Sequence, residues 1–191
     1  MRGYFGIGIQ GVSKAYNVGN LFRTAHAFGA SFVYTVDAKY SKNKWNKTDT
    51  SKSIEHTPFY SFPSLNELML PQGCALVGIE LTEDAIELPS FRHPTKAAYL
   101  LGPERSSLPQ STLDRCDFVI KIPMKFCINV GTAGALVMYD RLQSLGRYAE
   151  RPVRAGGPAQ LLERPEFGGP VFRKGSPFED SPPEVPDNWG E

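Results

Sequence analysis

The chain has 191 residues, 41% hydrophobic and 21% charged, with a formal net charge of +1, which leaves room for one domain with a substantial core. No apolar run approaches the roughly 20 residues that span a bilayer, and the opening Met-Arg-Gly-Tyr-Phe-Gly-Ile-Gly lacks the apolar stretch of a secretory leader; no membrane association and a cytoplasmic location are expected. The scattered cysteines (Cys74, Cys116, Cys127) and histidines (His26, His56, His93) show neither a disulfide framework nor metal-ligand spacing, so reduced thiols and no metal are expected.

Residues 1–146 alternate between strand and helix patterns. Tyr4–Ile9 reads as a first strand. Asn17 is a candidate N-cap for a helix whose stripe is Leu21, Phe22, Ala25 and Phe28, with Gly29 at its C′ position. Ser31–Val36, rich in β-branched and aromatic residues, is the second strand, and Phe59–Phe62 a short third. Ser64 and Glu67 have capping-box spacing for a short helix ending before Pro71. Cys74–Ile79 and Ala97–Leu101 are continuous apolar runs, as expected of strands buried on both faces. Leu81–Pro94 between them has no regular period. Pro109–Arg115 reads as a short helix, Phe118–Ile122 as a strand, and Asn129–Leu145, ended by Gly146, as the longest helix. That last helix is apolar around most of its circumference, which implies burial on two sides, against the sheet and against a partner subunit. The expected class is α/β, with a mainly parallel sheet flanked by helices.

Residues 147–191 differ in kind. They hold half of the 16 prolines, with Gly156-Gly157, Gly168-Gly169 and Pro182-Pro183, and no periodic pattern persists. They read as a flexible or loosely docked tail. Charge is uneven: residues 1–146 and 147–175 each carry +3, and residues 176–191 carry −5.

Several segments suggest chemistry. Gly6, Gly8 and Gly11 match G-x-G-x-x-G, with Asp37 after the second strand. A dinucleotide site would need a longer strand before Gly6 and a helix opening at Gly11. The glycines fit better inside and just after the strand, where a neighbouring backbone comes close. Arg23 lies on the helix face opposite the apolar stripe, either solvated or an anchor for phosphate or carboxylate. Gly102-Pro103-Glu104 and Ile122-Pro123-Met124 each follow a strand end, where open α/β sheets bind ligands. Asn129 is the evident N-cap of the last helix. The 39–52 loop carries Lys42, Lys44 and Lys47 around Trp45, a composition shared by solvated loops and by surfaces that pair phosphates and stack bases.

In order, Asn17-x-Gly19-Asn20-x-x-Arg23-Thr24-Ala25-x-Ala27-Phe28-Gly29, then Leu101-Gly102-Pro103-Glu104 through Ile122-Pro123-Met124, then Ile128-Asn129-Val130, resemble the three motifs of the SpoU (TrmH-type) branch of the SPOUT RNA methyltransferases. The resemblance covers residues 4–146. It implies an α/β fold with a C-terminal deep trefoil knot and a homodimer whose sites are completed across the interface. It implies S-adenosylmethionine held by the loops at Leu81, Gly102 and Ile122 through Met124 to Cys127. The implied reaction is methyl transfer to a ribose 2′-hydroxyl of RNA, with Arg23, Asn17, Glu104 and Asn129 as the catalytic set. With no N-terminal recognition domain expected, tRNA is favoured over rRNA. Against the family pattern, Ser107 replaces a glycine, and Cys127 and Gly131 stand where serine is usual. The alternative reading is a SPOUT-fold RNA-binding protein without catalysis.

Overall fold

The computed structural model describes residues 3–39, 56–103 and 106–158. Alternation along its strands sorts the core onto two faces of one sheet. β1 (Tyr4–Gln10) sends Phe5, Ile7 and Ile9 to one face, joined there by Val33 of β2 (Phe32–Val36). Phe32, Tyr34 and Val36 point to the other face. β3 (Phe59–Phe62), β4 (Ala75–Ile79), β5 (Ile86–Glu87), β6 (Lys96–Leu101) and β7 (Phe118–Lys121) complete a seven-stranded sheet in the order β3-β2-β1-β6-β4-β7-β5. Every described pairing is parallel. The chain therefore builds outward from β1 in one direction and then returns to build in the other.

The first face is covered by both long helices. α1 (Ala15–Ala27) contributes Val18, Leu21, Phe22 and Ala25, and the last helix, Val130–Leu145, contributes Val130, Val137 and Met138. Between them in sequence lies α2 (Gln110–Leu113), so Val130–Leu145 is α3. α1 and α3 pack directly on each other. Gly134 makes this possible, because a Cβ there would stand 2.4 Å from Leu21 Cδ1. The second face carries Phe32, Tyr34, Leu76, Ala98 and Leu100, covered by Leu68 and Leu108.

Several expectations need correction. α1 starts at Ala15, with Lys14 in the cap position, so Asn17 lies inside the first turn and is buried. Its side chain instead accepts a hydrogen bond from Asn129 Nδ2 at 3.2 Å, a tertiary partner in place of the cap. Ser64–Glu67 makes only a 3₁₀ turn, Leu65–Glu67, and the Ser64 hydroxyl donates to the Glu67 carboxylate (3.0 Å) instead of accepting from a backbone N–H. The irregular Leu81–Pro94 stretch supplies the edge strand β5 and a second 3₁₀ turn, Leu88–Ser90. Gly6 and Gly8 do sit inside β1; the Phe32 ring fills the space beside Gly6, while at Gly8 both the Tyr34 ring and the Tyr34 backbone carbonyl come close, as expected of a near neighbouring strand. A Cβ at Gly6 would be 2.2 Å from the Phe32 ring, and one at Gly8 would be 2.6 Å from Tyr34. Their partners in register are those same two residues. Gly29, at φ +70°, ends α1 as expected, and Gly146 ends α3.

The cysteines of the chain are free, with burial pushing the Cys116 thiol up to about 11 and raising Cys74. Among the described residues no helix is long and apolar enough to cross a membrane, and no group of His, Cys, Asp or Glu side chains is arranged to hold a metal ion. The chain divides after Tyr148. Residues 149–158 contain neither helix nor strand and are almost all exposed.

Where the chain leads into β6, a polar cluster is built into the core, with Asp140 at its partly exposed rim. Arg141 of α3 is fully buried and donates to the carbonyls of Pro94 (2.6 Å) and Thr95 (2.9 Å) and to the Tyr99 hydroxyl (3.1 Å). Its guanidinium also lies 5.1 Å from the Phe5 ring centre, within cation–π range. Since Tyr99 accepts from Arg141, its own proton goes to His93 Nδ1 (2.5 Å), which leaves His93 Nε2–H to donate to Asp140 (2.9 Å). Burial lowers the His93 pKa below its ordinary 6.5, outweighing the Asp140 carboxylate. Burial also pushes the Tyr99 hydroxyl up to about 12.

Two predictions follow from this packing. Gly6→Ala should cost about 1–3 kcal/mol in urea unfolding, and Phe32→Leu in the same chain should recover part of that loss; strictly additive effects would show that ring and glycine are not coupled. Because the unfolded chain binds a proton at His93 more readily than the folded one, stability from His93 is full above its unfolded pKa. It is lost as pH falls through the lower folded pKa. His93→Gln can keep both hydrogen bonds without titrating, so its urea midpoint should fall less than the wild type's between about pH 7.5 and 5.

Candidate active site

With all strands parallel, the carboxyl ends of β6, β4 and β7 lie side by side at one edge of the sheet. That edge flanks the point where the strand order reverses, the usual ligand position of an open α/β sheet. A cleft of about 760 Å³ opens there, within the range of small-molecule sites. Leu81, just beyond the end of β4, lines it. So do Gly102 and Pro103 after β6, and Ile122, Met124 and Cys127 after β7. Asn17 and Asn129 close the far side, joined by their hydrogen bond. The structure thus gathers all five residues expected on the cofactor side, and two of the four expected in catalysis, around one cavity.

Two side chains at the strand ends hold these loops in place. Glu80 follows β4 directly, and its carboxylate accepts from the backbone N–H of Leu81 (3.0 Å) and of Leu108 (2.6 Å). Lys121, at the end of β7, donates from Nζ to the carbonyls of Thr82 (3.1 Å) and Glu83 (2.9 Å). Both also line the cleft. Sequence reasoning missed them; the available signal was a charged residue at the carboxyl end of an apolar strand. On the helix side, the Asn129 side chain accepts from Gly131 N–H at 2.8 Å and caps α3 as expected. The same amide donates to Asn17, so one side chain starts a helix and joins the two long helices.

The other expected residues lie elsewhere. Arg23 is exposed on α1 and is not part of the cleft wall. It follows Asn17 by six residues, about 9 Å along the axis and on a different side of the helix. Glu104 and the Lys42, Lys44, Trp45 and Lys47 loop lie outside the described residues.

The walls suit S-adenosylmethionine. Ile79, Leu101, Ile122 and Val130 give apolar surface for a flat base, and Gly102, packed against Glu80 and Leu108 on the side where a side chain would stand, brings loop backbone to the cleft wall for a ligand's polar groups.

Known proteins place this architecture. The mouse tRNA (guanosine(18)-2′-O)-methyltransferase is 28% identical over 71% of this chain, which spans 9% of that protein. The Escherichia coli (strain K12) tRNA (guanosine(18)-2′-O)-methyltransferase is 25% identical over 89% of this chain and 80% of its own length. Among solved structures, the SpoU methyltransferase AviRb from Streptomyces viridochromogenes in complex with AdoMet superimposes with a TM-score of 0.66 at 20% identity, over 75% of this chain and 61% of that one. A structure concerned with 2-OH methylation of C/U34 on tRNA gives a TM-score of 0.67 at 22% identity, over 76% and 92%. The model of the SpoU rRNA Methylase family matches residues 5–139, from β1 well into α3 and across every wall of the cleft, and the chain belongs to that family.

Proposed function

We propose that the protein transfers a methyl group from S-adenosylmethionine to a ribose 2′-hydroxyl of RNA. The observation that carries this reading is the convergence of three parallel strand ends on one cleft, with the Asn17–Asn129 pair on its opposite side. Family membership supports the reaction class. The curated relatives that act on tRNA support tRNA as substrate over rRNA.

Bound in the cleft, S-adenosylmethionine would supply an electrophilic methyl group to the 2′-oxygen, with S-adenosylhomocysteine as the other product and the hydroxyl proton passing to solvent. The protein's task is therefore alignment, which is worth on the order of 7–11 kcal/mol when well arranged. Leu81, Gly102, Ile122, Met124 and Cys127 hold the cofactor, and Asn17 and Asn129 orient the ribose. A guanidinium with a pKa above about 12 is a poor base. Arg23 instead binds the neighbouring phosphate and favours the 2′-alkoxide electrostatically, with Glu104 positioning it. The Lys42, Lys44, Trp45 and Lys47 loop adds phosphate pairing and stacking.

The position of Arg23 outside its own chain's cleft supports a homodimer in which each Arg23 serves the partner's cleft. The outward side of α3, with Leu136 40% and Tyr139 50% exposed, is the surface such a dimer would cover. We also assign to residues 1–146 the whole catalytic unit, with its chain threaded as a trefoil knot, and to 147–191 an accessory tail.

The reading is tested by incubating the protein with labelled S-adenosylmethionine and unmodified total tRNA, then mapping nucleosides. A 2′-O-methylated nucleoside is expected. Saturable cofactor binding by calorimetry without methyl transfer to any RNA would leave the binding-protein reading standing instead. The arrangement of Arg23 is tested with mixed dimers. Arg23→Ala should abolish transfer while leaving cofactor binding unchanged. Pairing it with a Gly102→Trp copy, whose cleft is blocked, should restore one site of two, or about half of wild-type activity. A dead mixed dimer would put Arg23 to work in its own chain.

A further inference from the structure

The wall of the cleft facing the cofactor loops is the first turn of α1, and one of its residues has no role in the chemistry described so far. Tyr16 lines the cleft, yet it is 66% exposed. Among the described residues no hydrogen bond or ring contact fixes its side chain, whereas the next residue, Asn17, is buried and held by Asn129. At that exposure the ring adds little buried apolar surface to the fold. Lys14, two residues earlier, also lines the cleft and is exposed. An unsupported ring and a cation thus stand together at the mouth, beside a side chain locked into the site.

We infer that Tyr16 is the stacking platform for the nucleobase of the nucleotide being methylated, and that Lys14 pairs with its phosphate backbone. The inference rests on the methyltransferase reading and adds how the substrate is seated. A ribose can bring its 2′-oxygen to a methyl group deep in a cleft only if its nucleotide leaves the RNA stack. The base then loses its neighbours' stacking, and an exposed ring at the entrance replaces them. Such stacking tolerates any base, because each has a π-face. Tyr16 therefore selects for an unstacked nucleotide rather than for one base identity. The ring is a positioning group and touches neither the methyl group nor the 2′-oxygen.

The test is steady-state kinetics on unmodified tRNA transcripts, with cofactor affinity and sedimentation measured alongside. Tyr16→Ala should raise KM for RNA about tenfold, the scale of one lost base–aromatic stack, with KM for S-adenosylmethionine unchanged. Tyr16→Phe and Tyr16→Trp should restore RNA affinity, which an effect of the hydroxyl or of local folding would not produce. Lys14→Ala should weaken RNA binding and make its salt dependence shallower by about one phosphate contact. An unchanged KM for RNA in Tyr16→Ala overturns the inference, as does a shift of the dimer equilibrium in its place, which would make Tyr16 an interface residue. If the wild-type protein methylates no RNA, the underlying reading fails first. If wild-type transfer is robust and only the Tyr16 result is negative, this inference alone fails.

Discussion

The close approach of α1 and α3 is the constraint on which the site depends. Both helices lie on one face of the sheet, and Gly134 lets α3 press against Leu21 where any side chain would intrude. A further glycine, Gly131, faces Asn20, which a Cβ would approach to 2.7 Å. Only with the two axes this near can Asn129, at the start of one helix, reach Asn17 in the first turn of the other. The far wall of the cleft is thus a by-product of helix packing, and a wider helix pair would leave the strand loops facing open solvent.

The sheet contributes the near wall through direction alone. Parallel pairing places the ends of β6, β4 and β7 on one edge. The opposite edge, where the chain leads into β6, is tied down by the cluster of Arg141, Tyr99, His93 and Asp140. α3 runs between the two, capped by Asn129 in the site and anchored by Arg141 about 16 Å along its axis. Rigidity and chemistry occupy different ends of one element, which suits a reaction governed by alignment.

Much of this was legible in the sequence wherever a local pattern and its tertiary role coincide. Continuous apolar runs located β4 and β6, and Gly29 and Asn129 marked helix ends by their own backbone requirements. Errors arose where a side chain found a side-chain partner in place of the backbone group its spacing suggests. Asn17 reads as a cap until Asn129, 112 residues away, claims it. Ser64 and Glu67 have the right spacing but satisfy each other. The glycines of β1 lie inside the strand as their spacing suggests, but what crowds them, the Phe32 ring and the Tyr34 ring and carbonyl of the next strand, is a matter of register. Motif order located the residues around the cleft without showing that Arg23 stands away from it. Arg141 gave no signal, since nothing in a helical stretch distinguishes a buried arginine from a solvated one.

Glu80 and Lys121 have a consequence for how such a protein can diversify. Each grips its loop through backbone groups alone, N–H in one case and C=O in the other, so the side chains those loops display carry none of the load. An exposed residue such as Leu81 can be exchanged without loosening the frame. A lineage could therefore retune what its cleft recognises by drifting at the displayed positions, while the two clasps and the sheet beneath them stay fixed.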